Sequence, residues 1–237
     1  MQDVLSLLSF SDGGWGAALA AGTLVTLTLA LATLPVGIFL GLVVALMARS
    51  RSPRARAAAT VFTTVFRGLP ELLTLLIVYY GGQILIQRLM ASMGYEGQLQ
   101  INAFLAGVVA FGLVLAAFSS EVWVGALNTI ARGQYEAGSA LGLSRWLTFR
   151  LVVFPQLMRA ALPGLSNNWL TLLKDTSLIS TISLVDLMRQ TNLAVGATKQ
   201  PIVFYLAACV IYLLLSAGSG LAFTVLERRA NRGHARG

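Results

Sequence analysis

The chain has 237 residues, 57% hydrophobic and 11% charged, with a mean hydropathy of +0.77. A soluble domain carries about 25% charged residues, and one of this length cannot enclose so much apolar surface. The net charge of +8 does not point to nucleic acid, because the basic residues stand in short blocks between long apolar runs, the pattern of membrane topology signals.

The first eleven residues contain Asp3 and no Lys or Arg, so they lack the positive region that opens a secretory signal. A helical span needs about 20 mainly apolar residues. The first expected span covers 15–48 and contains a GxxxG pair, Gly37 and Gly41, which would let another helix approach closely. Arg49, Arg51, Arg54 and Arg56 end it. The second covers 57–90 and is interrupted by Arg67-Gly68-Leu69-Pro70-Glu71, where Pro70 lacks a backbone donor and predicts a kink or break. The third covers 101–127, with Asn102 its only polar residue before Ser119.

A cytoplasmic connection over 128–162 precedes the fourth span. Tyr135 to Leu141 favours a short helix stopped by Gly142. Ser144 then suits the cap of a second helix with apolar members Leu147, Leu151 and Phe154, which Pro155 ends. Two such helices at an angle would form a rigid knob fitted to a groove on a cytoplasmic partner. The fourth span covers 163–187, starts near Pro163 and carries Lys174 and Asp175. The fifth covers 201–226, with Cys209 in its apolar run; that lone cysteine supports neither a disulfide framework nor a metal cluster.

Arginine and lysine set the orientation. Arg49 to Arg56, then Arg132, Arg145, Arg150 and Arg159, then Arg228, Arg229, Arg232 and Arg236 fall on one side; Arg88, Arg189 and Lys199 fall on the other. Lys/Arg excess marks cytoplasmic loops. Five spans therefore place the N-terminus outside and the C-terminus inside, and the short outer loops suit a bacterial inner membrane.

The knob carries a resemblance. Glu136-Ala137-Gly138, then Gly142, then nine residues to Val152-Val153-Phe154-Pro155 resembles the EAA loop of ABC importer permeases. Gly138, Val152 and Phe154 replace the family's Ala, Ile and Leu. Phe66-Arg67-Gly68-Leu69-Pro70, Glu121-Val122-Trp123 and Leu173-Lys174-Asp175-Thr176-Ser177-Leu178 are similar to the polar amino-acid subfamily, which imports histidine, arginine, glutamine, glutamate or opines. The similarity runs from about Gly22 to Leu226. Where that family often has an Arg, this chain has Val124, and the Arg's role is not carried over.

The resemblance implies an all-α type I importer permease that forms half of a pathway with itself or a sister permease. Two ATPase subunits would hydrolyse ATP with Mg²⁺, an external solute-binding protein would deliver the ligand, and this chain would bind no cofactor of its own. Glu136, Ala137, Leu141, Gly142 and Pro155 would form the ATPase-coupling knob, with Glu136 as its docking carboxylate. The plainer reading of Glu136 is a cap on its own helix.

Ionisable groups inside spans cost about 2.5–3.5 kcal/mol each on insertion scales. Arg67, Glu71, Glu121, Lys174 and Asp175 therefore need partners or a wet cavity. Asp175, with Thr176 and Ser177, would line the pathway; alternatively Lys174 pairs with Glu121 or Glu71 across helices. Neighbouring helical positions point about 100° apart, so Lys174 and Asp175 do not share one surface. Arg67 and Glu71 stand four apart, as an intrahelical pair would, although a helix broken beside charges also points to a substrate site. Trp123, Trp146 and Trp169 read as packing or interface residues. A membrane-embedded enzyme is the alternative class: a Ser with Lys174 is formally available, but His234 is the sole histidine and lies in the basic tail. A scaffold without transport is the other, weakened by the charges within spans. No Gly-x-x-x-x-Gly-Lys-Ser/Thr phosphate loop occurs.

Overall fold

The computed structural model describes residues 4–94, 97, 100–131 and 133–231; Asp3, Arg132, Arg232, His234 and Arg236 lie outside the described residues. Every regular element among the described residues is helical. A short turn, α1 (Val4–Leu7), precedes α2 (Gly16–Ala48). The polar residues of α2 do not interrupt it, because Thr23, Thr26, Thr28 and Thr33 donate their hydroxyls to carbonyls four residues back. In lipid that internal satisfaction is required.

The glycine pair on α2 seats it against α6 (Ala103–Thr129). A β-carbon at Gly37 would overlap the Leu115 side chain, and one at Gly41 would lie 2.7 Å from Ser119 Cβ and 2.9 Å from the Ala116 carbonyl. Trp123 of α6 is buried and donates its indole N–H to the Ile38 carbonyl at 3.1 Å. Asn102 does not sit inside a span: it caps α6, accepting from the backbone N–H groups of Phe104 and Leu105.

Over the second expected span the helix starts earlier than expected, at Pro53, and breaks where expected; the part beyond the break, Glu71–Ser92, is the stretch apolar enough to cross a membrane. Ser52 caps α3 (Pro53–Gly68), and Pro53 takes its first position. Leu69 and Pro70 are extended, and α4 (Glu71–Leu76) resumes beyond them. A wide π-turn over Ile77–Gly81 leads into α5 (Gly82–Ser92).

The largest departure follows α6. The knob forms as expected from α7 (Gly133–Ala140) and α8 (Arg145–Thr148). Gly142 stops α7 with φ +73°, a conformation open to glycine, and Ser144 caps α8 through the Leu147 N–H. Pro155 does not end the second helix. A π-turn over Phe149–Val153 carries α8 straight into α9 (Phe154–Asp175), and Pro155 sits in the first turn of α9, where its missing N–H costs little. The fourth span therefore starts at Phe154 rather than near Pro163. It ends at Asp175, followed by a 3₁₀ segment, Thr176–Ile182, that Ser183 closes in the left-handed region. Asp186 then caps α10 (Leu187–Thr198), and α11 (Pro201–Asn231) completes the chain.

Among the described residues, four helical stretches are long and apolar enough to cross a membrane: α2, Glu71–Ser92, α6 and α11. Helix α9 carries too many polar groups to qualify on composition, yet its 22 residues span about 33 Å at 1.5 Å per residue. It packs along α6, α11 and α2, in the place of the fourth expected span. Leu29, Phe111, Leu172, Leu173 and Ile179 form the main core between α2, α6 and α9; a second core joins Ala45, Trp123, Leu157 and Leu165.

Candidate functional site

Helix α9 presents a polar stripe in an otherwise apolar bundle. Asn167, Thr171 and Lys174 are exposed at positions i, i+4 and i+7, and Asn168 and Asp175 stand beside them, partly buried. Asn168 reaches across to α6 and donates to Ser119 Oγ at 3.4 Å. A cavity of about 130 Å³ lies against this stripe, lined by Asn167, Asn168, Thr171 and Asp175 of α9 and by Phe111 and Phe118 of α6. Glu71 and Lys174 both act electrostatically on the Asp175 carboxylate, with opposite signs. The break at Pro70 thus starts α4 with a carboxylate that bears on the end of α9.

The residues after Asp175 separate. Thr176, expected to line the pathway with Asp175, is fully buried, with its hydroxyl donated to the Leu173 carbonyl at 2.7 Å. A step of about 100° from Asp175 already turns Thr176 off the stripe and into the core. Ser177 faces a second cavity, about 350 Å³, with Lys174, Met188, Tyr205, Cys209 and Tyr212. Lys174 makes no ion pair with Glu121 or Glu71; its ammonium lies on the exposed stripe instead.

Arg67 pairs across helices rather than along its own. Its guanidinium meets the Glu121 carboxylate of α6 at 2.9 Å and lies 5.6 Å from the ring centre of Phe118. The intrahelical pair with Glu71 fails because the chain is extended between them. The Arg67–Glu121 pair borders a third cavity, about 350 Å³, lined by Thr60, Thr63, Thr64, Ser120 and Val124. Glu121 thus has a cation in Arg67, with Val124 beside it.

At the other end of α9, the knob exposes Glu136, Ala137, Leu141, Gly142 and Pro155 together. Glu136 lies in the first turn of α7 and enters no ion pair among the described residues. Leu141, Trp146 and Leu151 add an apolar surface, with Leu141 at 78% exposure. The two knob helices touch at Gly138, where a β-carbon would overlap the Thr148 side chain, and Gln156 of α9 donates to Gln134 at 3.1 Å. Trp169 is buried and Trp146 stacks on Phe149, as packing residues do.

Sequence reasoning passed over Asn167, Asn168 and Thr171. The signal was present: two adjacent amides inside an expected span, in phase with Asp175 at helical spacing.

Residues 37–232 match the family model described as "Binding-protein-dependent transport system inner membrane component". The chain is 40% identical to an octopine transport system permease protein of Rhizobium meliloti, over 98% of each chain. It is 42% identical to a nopaline transport system permease protein of Agrobacterium fabrum, over 97% of this chain and 98% of that one. A histidine/lysine/arginine/ornithine transport system permease protein of Escherichia coli is 35% identical over 93% and 96%. Among solved structures, a chain of an amino acid ABC transporter crystallised with histidines superposes with a TM-score of 0.76 at 28% identity, covering 95% of this chain and 99% of that one. A chain of the MetNI methionine ABC transporter, in an inward-facing conformation, shares the fold at 18% identity, with a TM-score of 0.71 over 91% and 97%.

Proposed function

We propose, from the premise that the chain belongs to the family of inner-membrane components of binding-protein-dependent transport systems, that it is the permease subunit of an importer for polar amino acids or opines. Relatives named for octopine, nopaline and basic amino acids set that substrate class. The observation that carries the reading is the stripe on α9, where Asn167, Asn168, Thr171 and Asp175 border one cavity within a bundle otherwise built for lipid. Unneutralised polar groups at membrane depth are retained where a pathway needs them.

In this reading the Asp175 carboxylate receives the ammonium or cationic side chain of the substrate. Glu71 reinforces the negative field, and Lys174 on the neighbouring arc suits a carboxylate. Arg67 and Glu121 border the exit, beyond Phe118. A second permease, the same chain or a sister, closes the open side of the stripe. The chain has no phosphate loop of its own, so ATP and Mg²⁺ belong to an ATPase pair docked on the Glu136 knob. An external solute-binding protein delivers the ligand to the face opposite the knob, with the N-terminus outside and the C-terminus cytoplasmic.

Replacing Asp175 with Asn tests the site. In proteoliposomes holding the whole transporter and its binding protein, uptake is measured for labelled L-arginine, L-histidine and octopine. For whichever the wild type carries, the variant is expected to lose at least tenfold in uptake at unchanged assembly. Uptake with wild-type KM and rate would remove Asp175 from the site.

A further inference from the structure

A buried polar nucleus lies behind the α9 stripe. Four elements meet there: α2 through Thr26, the 3₁₀ segment through Thr176, the start of α10 through Asp186, and α11 through Tyr212. Thr26, Thr176 and Asp186 are all 0% exposed. Asp186 uses Oδ1 to cap α10, accepting from the Arg189 N–H at 2.8 Å, while its Oδ2 has no hydrogen-bond partner. The Tyr212 hydroxyl also lacks a partner at hydrogen-bond distance, although it faces Asp186, Thr26 and Thr176. Thr26 ties the assembly to α2, accepting from the Leu187 N–H at 3.2 Å and donating to the Gly22 carbonyl. Gly22 lets the chain approach so closely: a β-carbon there would stand 2.7 Å from the Asp186 carbonyl oxygen.

A buried carboxylate oxygen and a buried hydroxyl without partners are expensive to hold in a core, so they are retained where the surrounding contacts need them. We infer that Asp186 and Tyr212, with Thr26 and Thr176, form a nucleus that positions the Asp175 carboxylate for substrate. Thr176 follows Asp175 directly, so a locked nucleus holds the end of α9 and aims the Asp175 carboxylate into its cavity. Ser183, non-glycine at φ +71°, is the strained joint between the 3₁₀ segment and α10, and such strain persists only where surrounding contacts enforce it. The nucleus supplies that enforcement. Neither Asp186 nor Tyr212 touches substrate.

This inference rests on Asp175 serving the substrate, and its test separates the two. Tyr212→Phe deletes one oxygen and keeps the ring. In the assembled transporter, reconstituted with its binding protein, Tyr212→Phe is expected to raise KM for the carried probe three- to tenfold. It is also expected to speed hydrogen–deuterium exchange across 176–190. Placed on Asp175→Asn, it should add no further loss of uptake, because the group it positions is gone. Thr176→Ser, which keeps the hydroxyl, should retain more uptake than Thr176→Val. Wild-type KM, unchanged exchange, or a fully additive loss on Asp175→Asn would each overturn the positioning role. A normal Asp175→Asn transporter would instead overturn the substrate site, and the exchange result would then read the nucleus alone.

Discussion

Arg67 meets Glu121 at 2.9 Å across the gap that Leu69 and Pro70 open in the second span. The pair joins the end of α3 to the middle of α6, with both partners about half exposed, at 44% and 54%. Open to the cleft, such a pair contributes about 0–1 kcal/mol through its own attraction. Removing one partner does more harm than removing both, because it leaves the other charge without its counterion beside the Phe118 ring. Glu121→Gln and Arg67→Gln are each expected to lower uptake, and the double variant to recover part of the loss. Uptake by the two singles and the double in proteoliposomes checks it; losses that simply add would mean the pair is not coupled.

Gly138 makes a second test of complementarity. A β-carbon there meets Thr148 Oγ1 and Cγ2, and overpacking of this kind costs about 1–3 kcal/mol. Gly138→Ala should loosen the knob and weaken ligand-stimulated ATP turnover. Thr148→Ala in the same chain removes both overlapping atoms and should restore most of the turnover. A fully active single variant would show that the two knob helices part without consequence.

The knob's tip makes a third. Glu136 and Leu141 are exposed and enter no ion pair or core cluster among the described residues. Their replacement by Ala and Asp should leave the melting temperature of the isolated permease unchanged while cutting ATPase co-purification at least tenfold. Equal co-purification would move the docking surface elsewhere.

Glycines in the two long helices are predicted to differ sharply. Gly41→Ala presses on the backbone carbonyl of Ala116, which cannot rotate away, and should cost about 1–3 kcal/mol. Gly220→Ala meets nothing within 4 Å and should be neutral or stabilising by up to about 1 kcal/mol, since alanine is the better helix former. Thermal unfolding in one detergent compares them.

Much of the architecture is readable from composition and breakers. The apolar runs delimit α2, α6 and α11, Pro70 marks the break, and Gly142 and Ser144 bound the knob, because each depends on local chemistry alone. Two departures from expectation lie where the helical winding changes. Pro155 reads as a stop in an α-helix, but a π-turn shifts the register and makes room for it. Thr176 and Ser177 read as pathway residues with Asp175, but Thr176 is buried and Ser177 faces a different cavity. Sequence shows residue types and leaves winding to tertiary packing. The partner of Arg67 was hidden for a different reason: Glu121 is distant in the chain, and only the fold brings it near.

The uninterrupted path from Ser144 through the π-turn to Asp175 has a mechanical consequence. From Arg145 onward it stays helical, roughly 45 Å at 1.5 Å per residue, with Pro163 and Gly164 inside it and no extended link until Asp175. On the proposed function, a tilt imposed on the knob would pass along this helix toward Asp175. Docking and substrate grip would then act at two ends of one lever, which comes close to α6 at Gly164, where a β-carbon would stand 2.7 Å from Val122 Cγ1.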